Sequence, residues 1–535
     1  MPRSRKTALI GALLIPVVAG GFLLQSRGQR EGAALLDQVM SLVSDRYVDT
    51  LPASEVFEKA ARGLVRELND PYSELLTPKD LKQFNSRTGG RYGGLGMLIE
   101  EDPTTHTITV ATVYPNTPAE AGGVREGDRI VKVGPLSTQG WTITNVSDSL
   151  TGVPGSKVNV TFARPGVAAP ITANFTRAEI HIPAVPYTLS FGNKIGYIPL
   201  QQFNENAAEN VAAAVKQFQA QGARGIIIDM RGDPGGILTQ SLEIANMFLP
   251  QGSQIAAVKG REGPPQVETA KAVPIAPTIP LIVMTDERTA SASEIVTGAL
   301  QDHDRALVVG QTSFGKGLVQ GVYNLDGGYA LKLTTGKWFT PSGRTIQRPR
   351  KFVNGQFVEV PPDTSETNTT KKTRPAYKSD GGRVVYGGGG ITPDVIVQDD
   401  TLTTAEQQFT KAIAPKGQDF VTVLTDYSME LAKTASPNFT VQPAWTNEFF
   451  NRLQAKGITT DRKLYDSSSR YVDRLLEQRV AHYVAGDSSA KRRDLPYDAP
   501  LRKAIELLDK GGSQRDLFAM AGETLTPRSP SSKKP

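Results

Sequence analysis

Two side chains able to share proton-transfer chemistry, Ser291 and Lys316, lie close together in this sequence. Ser291 sits in Thr289-Ala-Ser-Ala-Ser-Glu-Ile-Val-Thr-Gly-Ala-Leu300, and Lys316 in Gly310-Gln-Thr-Ser-Phe-Gly-Lys-Gly-Leu-Val-Gln320. A serine hydroxyl is a poor nucleophile until a neighbour takes its proton. A lysine amine does so if burial lowers its pKa to about 7–8. Gly315 and Gly317 allow a tight fold around Lys316. Attack on a carbonyl creates an oxyanion that needs N–H donors. Ala292 N–H is one candidate, and Gly232, Gly235 or Gly236 supplies a second. A lone serine at a helix start is usually an N-cap. Ser293 fits that role better here, which leaves Ser291 available.

The flanking sequence positions these groups. Ile279–Thr285 and Ala306–Val309 read as strands, with a helix between them from about Ala292. Parallel neighbours would bring both terminal loops to one sheet edge, where such folds bind ligands. Gly225–Met230 repeats the pattern, running through Arg231-Gly-Asp-Pro-Gly-Gly236 into a helix at Ile237–Leu249. Ile195–Leu200 and the alanine-rich Asn206–Gln221 add another strand and helix. Residues 171–400 therefore read as a β/α core.

Other chemistries fit less well. Gly310–Lys316 matches G-x-x-x-x-G-K, but Gly317 replaces the magnesium-binding hydroxyl and a strand follows instead of a helix. The chain has no cysteine, which removes thiol nucleophiles, thiolate zinc sites and disulfides. Its four histidines, His106, His181, His303 and His482, form no H-E-x-x-H pair. His303 lies about 17 Å from Ser291 along a helix, where a solvated cap is expected. No metal or cofactor is expected. The net charge of +6 is dispersed over 535 residues, so no nucleic-acid footprint is visible.

Around the core the chain changes character several times. Residues 1–30 join a basic start to an apolar run, Ala8–Leu24, as an export signal or inner-membrane anchor does. That reading places the rest outside the cytoplasm, in the periplasm or on the outer face of the inner membrane. Residues 31–87 read as helical, with Leu35, Leu36, Val39, Met40, Leu42 and Val43 on one buried face. Residues 348–385 are rich in Pro, Thr, Lys and Gly and read as a mobile surface insertion. Residues 401–525 read as a helical region, with Leu475, Leu476, Val480 and Tyr483 forming one stripe, and 526–535 as a disordered tail.

Residues 88–170 are β-type, and their Pro118-Ala-x-x-x-Gly-Val-x-x-Gly-Asp-x-Ile-x-x-Val133 run resembles a PDZ domain. The resemblance implies that Leu95, Gly96 and Met97 offer amides to a peptide carboxylate. The peptide would add as a strand beside Leu98, against a helix carrying Val146 and Leu150.

Together, Ala290–Asp302, Val308–Gln320, Ile226–Gly236 and Leu333–Gln347, with the PDZ-like module, resemble the carboxyl-terminal processing (tail-specific) proteases from about Ala33 to Val397. The resemblance implies a multidomain α/β protein whose β/α peptidase core carries an inserted PDZ-like domain, N-terminal helices and a C-terminal helical region. It implies a serine endopeptidase with a Ser291–Lys316 dyad assisted by Gln320, acting on the C-terminal tails of unfolded or tagged proteins. On a strand, Lys316 and Gln320 would share a face. Arg164, closing a PDZ strand, is by the same resemblance a regulatory residue reporting docking to the catalytic loop. Envelope adaptor proteins and a homo-oligomer are further partners it allows. A non-catalytic PDZ scaffold is the competing reading, and it leaves the glycine-shaped loops without a role.

Overall fold

A computed structural model of the chain describes residues 31–522, apart from 102–105, 165–166, 193, 354–355, 361–364 and 459–460. The export segment at 8–24 and the tail at 526–535 lie outside the described residues. Among those described, no helix is long and apolar enough to cross a membrane. The chain forms two compact units. The larger comprises Lys82–Val319, Thr335–Lys351 and Val358–Pro535, and the smaller Met1–Leu81, Gln320–Thr334 and Phe352–Phe357.

In the larger unit, unbroken apolar runs make strands buried on both faces. The sheet order is Leu189–Phe191, Ile195–Pro199, Gly225–Asp229, Leu281–Thr285, Leu307–Gly310, Val395–Ile396. The first pair is antiparallel and the rest parallel. Helices Ala207–Ala220, Leu238–Asn246 and Ala292–Asp302 bury one face through Val211, Phe218, Ile244, Val296 and Leu300. The other face is covered from the far end of the chain. Helices Ala499–Lys510 and Gln514–Met520 insert Leu501, Leu507, Leu508, Leu517 and Phe518 there. The region read as one C-terminal helical unit therefore has two jobs. Residues from Thr404 to Asp494 pack around their own core of Phe409, Phe420, Phe449, Leu453, Tyr465 and Leu476. The last two helices complete the sandwich around the central sheet. Because the strands are parallel, the loops after Pro199, Asp229, Thr285 and Gly310 all emerge at one sheet edge.

The PDZ-like module is a sheet of Met97–Glu101, Ile108–Val113, Arg129–Val133, Lys157–Ala163 and Ile171–Thr176 in that order, with helix Ile143–Leu150. It extends past 170, because Ile171–Thr176 pairs with Lys157–Phe162. The chain enters and leaves through an antiparallel neck, Arg91–Gly94 against Ala178–His181. One loop of the module rests on the C-terminal helices. Glu126 bonds to His482, whose Nδ1 lies 2.7 Å from Asp487, and Arg129 lies 3.5 Å from Asp426. Asp487 and Glu126 hold the His482 imidazole up at about 9, so it carries charge at neutral pH.

The insertion at 348–385 departs from expectation, because several of its charged residues, Glu366, Lys371 and Arg383 among them, are buried. Arg383 is fully buried, 2.8 Å from Asp304 and 2.5 Å from Asp394. Glu366 pairs with Arg374 and accepts from Thr312 Oγ1. Buried ions persist only when paired in this way. Its polarity therefore marks an ion-paired element clamped to the core. His303 ends the Ala292–Asp302 helix as expected but is mostly buried, bridging Asp380 and the Gln254 carbonyl.

In the smaller unit, helices 31–46 and Ala53–Arg66 accompany strand Glu74–Leu76, which pairs with Ala330–Lys332. The stripe expected to be buried on residues 31–46 is exposed, with Leu35 at 64% and Leu42 at 56%. No described element covers it.

Candidate active site

Ser291 stands where strand Leu281–Thr285 turns into helix Ala292–Asp302, with φ 58° and ψ −113°. A non-glycine residue in that region is strained, and such strain gathers at functional turns. It takes the N-cap position. Ser293 lies inside the helix and donates to the Asp233 carbonyl at 3.2 Å, so the N-cap position expected for Ser293 falls to Ser291 instead. Thr289 is fully buried and ties the turn to the Met230 carbonyl at 2.8 Å.

Glu294, three residues on, joins serine and lysine. It is fully buried, and its Oε2 accepts from Ser291 N at 2.8 Å and Lys316 N at 2.9 Å. Its Oε1 accepts from Gly315 N at 2.7 Å and Ser313 Oγ at 2.5 Å. The serine and lysine backbones thus bracket one carboxylate oxygen. Burial raises the Glu294 pKa, while the Ser313 hydroxyl and the Lys316, Gly315 and Ser291 amides hold the rise back. The spacing Ser291-x-x-Glu294 is that of a capping box; it was the available signal for this residue.

Lys316 is partly buried on an irregular loop, and its strand begins only at Leu318. The same-face argument linking it to Gln320 therefore does not apply. Its carbonyl accepts from the indole of the buried Trp338 at 3.0 Å, so its peptide is held from both ends. Gln320 lies in the smaller unit, where Nε2 donates to Thr334 Oγ1 at 3.3 Å.

Of the four expected oxyanion donors, two are spent. Gly232 N donates to Asp286 Oδ1 at 2.9 Å and Gly235 N to Asp233 Oδ1 at 2.8 Å. The amides of Ala292 and Gly236 have no acceptor among the described residues. Gly235, at φ 89°, backs the serine so closely that a Cβ there would lie 2.8 Å from Ala292 N and 2.9 Å from Ser291 Cβ. Behind this strip Arg231 pairs with Asp229 at 2.7 Å and Asp498 at 2.8 Å. The C-terminal segment thereby braces the loop.

Asp233 is fully buried, and its Oδ2 has no hydrogen-bond partner. Burial pushes its carboxyl well above the usual range. Between the unfolded value near 4 and the raised folded one, the native state binds the extra proton, so stability falls as pH rises through that window. Asp233→Asn mimics the protonated acid. It is expected to stabilise the fold at pH 8 by about 1 kcal/mol or more, read as a higher melting temperature, with the gain shrinking toward pH 4. Melts of both proteins across this range check it; an equal gain at every pH would contradict it.

Among the described residues the PDZ-like sheet has two edge strands, Met97–Glu101 and Ile171–Thr176, and the expected docking strand is the first of them. Leu95, Met97, Val146 and Leu150, expected to line a groove, are buried in its core, and Gly96 is buried with them. Leu98 alone of the set is exposed. Tyr92 was not foreseen: its hydroxyl faces the Met97 and Gly96 amides, and burial pushes its pKa up to about 12. Arg164 does not reach the catalytic loops. Its guanidinium is spent within its own module on Asp128, at 2.7 and 2.8 Å, and on the Gly123 carbonyl at 2.7 Å.

Two family models match the chain. Residues 194–365 match the family model for peptidase family S41, and 109–164 that for a PDZ domain. A carboxyl-terminal-processing protease of Picosynechococcus is 32% identical over 369 residues, covering 65% of this chain and 89% of that protein. The carboxy-terminal processing protease CtpA of Bacillus subtilis is 30% identical, over 67% of this chain and 76% of that one. Among solved structures, a photosystem II D1 C-terminal processing protease is 30% identical, covering 61% of this chain and 84% of its own, with a TM-score of 0.35.

Proposed function

Because the chain belongs to the carboxyl-terminal processing proteases of peptidase family S41 and carries a PDZ domain, we propose that it cuts unfolded or tagged proteins by a Ser291–Lys316 mechanism after its PDZ domain captures their C-terminal tails. The observation that carries this reading is the shared Glu294 carboxylate, which ties the two backbones into one constellation. Neutral Lys316 Nζ takes the proton as Ser291 Oγ attacks the scissile carbonyl carbon. The oxyanion then faces the Ala292 and Gly236 amides, the two expected donors without an acceptor among the described residues. Collapse breaks the C–N bond, and Lys316 returns its proton to the leaving amine. Water, deprotonated by the same lysine, hydrolyses the acyl-enzyme. The tail adds as a strand along Met97–Glu101, and its carboxylate competes with Tyr92 for the Gly96 and Met97 amides. The basic, apolar N-terminus directs this activity outside the cytoplasm, where adaptor proteins and a second copy of the chain are candidate partners.

The test is degradation of an unfolded protein ending in an apolar tail, with EDTA present, by wild type and Lys316→Ala. The expected result is tail-dependent cleavage by wild type only. Cleavage by a folded Lys316→Ala variant would end the mechanism, and indifference to tail amidation would end the role of the PDZ domain.

A further inference from the structure

The loop after strand Ile195–Pro199 touches both ends of the molecule's presumed work. Asn204 is 1% exposed, and its Nδ2 donates to the Ile182 carbonyl at 2.8 Å, where the chain leaves the PDZ domain. Ile182 N in turn donates to the Gly90 carbonyl at 2.7 Å, where the chain enters it. Gly90, at φ 62°, lies so close that a Cβ would come within 2.6 Å of Asn204 Cγ. Next in sequence, Glu205 pairs with the neck residue Arg91 at 2.8 Å, and its amide donates to the Thr88 carbonyl at 3.2 Å.

On the other side, Phe203 is a bridge to the glycine strip. Its N–H donates to the Gly235 carbonyl at 3.0 Å, and its own carbonyl accepts from Ile237 N at 2.8 Å. Gly236, at φ 150°, has no room for a Cβ against the Phe203 carbonyl. Gly235 itself backs Ser291 and Ala292. Three consecutive residues therefore hold the neck of the reading module with one set of bonds and the strip behind the nucleophile with another.

We infer that Phe203-Asn204-Glu205 couples the PDZ neck to the oxyanion strip, with Asn204 as the positioning residue that sets Gly235–Gly236 against Ser291 according to the placement of the neck. Asn204 touches no substrate and acts through Phe203. The inference rests on the proposed roles of Ser291 and the PDZ domain. It adds a specific consequence: loosening Asn204 lowers turnover and uncouples it from the tail, without weakening tail capture.

The experiment compares wild type, Asn204→Ala, Gly90→Ala and the double variant. Each is assayed on one unfolded protein bearing an apolar tail with either a free or an amidated C-terminus. Binding of an apolar decapeptide with a free carboxylate is measured separately in a Ser291→Ala background. Asn204→Ala is expected to lower kcat roughly 10- to 100-fold, as misplaced catalytic groups do. Decapeptide affinity stays within about twofold, and the free-to-amidated rate ratio falls toward one. Gly90→Ala, which disturbs the same contact from the neck side, gives the same pattern, and the double variant loses less than the product of the two. Unchanged kcat in both single variants overturns the inference. So does a loss of kcat with the rate ratio kept, since that is what general destabilisation produces. If wild type itself ignores the tail, the underlying reading of the PDZ domain fails instead. Should Asn204→Ala not fold, Gly90→Ala alone decides by the same ratio.

Discussion

Ser291→Ala is expected to abolish proteolysis, lowering kcat by roughly 10⁴-fold or more, as removal of an activated serine nucleophile does elsewhere. The protein should remain folded. The turn's strain lies in the backbone at φ 58°, and alanine bears it as serine does. The Glu294 bond uses Ser291 N, which the substitution leaves in place. Melting should therefore shift little, and tail-peptide binding should persist. Turnover of an unfolded substrate, with circular dichroism as a control for folding, provides the measurement. Appreciable residual cleavage by the folded variant would show that another residue is the nucleophile.

Glu294→Gln is the second large effect, and it separates positioning from chemistry. Four donors converge on the two carboxylate oxygens, whereas glutamine offers one oxygen and one NH₂ group. At least two of the four must lose their acceptor in a site that excludes water. Charge-assisted hydrogen bonds of this kind contribute about 1.5–3 kcal/mol each, so a loss of about 3 kcal/mol or more is expected. The lost bonds hold either the Ser291 and Lys316 amides or Gly315 and Ser313 beside the lysine, so kcat should fall by about 100-fold while tail affinity stays constant. A variant with normal kcat and a lowered melting temperature would make Glu294 a purely structural residue.

Much of this site was legible because its signals are local. Alternating apolar strands and glycine-bearing turns at Gly225–Gly236 and Leu281–Gly310 fix which loops meet, since parallel strands send their C-terminal loops to one edge. Gly232 and Gly235 illustrate what local reading misses. They have the flexibility expected of oxyanion donors, but Asp286 and Asp233 already occupy their amides. Only the fold reveals that competition. Asn204 carries no local signal, because its meaning lies in Gly90 and Ile182. The insertion misled for the opposite reason: Arg383, Lys371 and Glu366 give it a solvent-like composition, yet each is buried against a partner. Lys316 was placed on a strand by extrapolating back from Leu318, but the tight contact of Gly317 with Gln347 keeps that stretch irregular.

The helices at Ala499–Lys510 and Gln514–Met520 have a consequence for how the protein comes into being. They supply one whole side of the central sheet through Leu501, Leu507, Leu508 and Phe518, and Asp498 completes the ion pairs of Arg231. A nascent chain that has emerged only through the strands has its glycine turns, but one bare apolar sheet face and an Arg231 without Asp498. The loops around Ser291 therefore settle only after the segment from Asp498 to Met520 has been made, so synthesis order separates the making of these loops from their final placement.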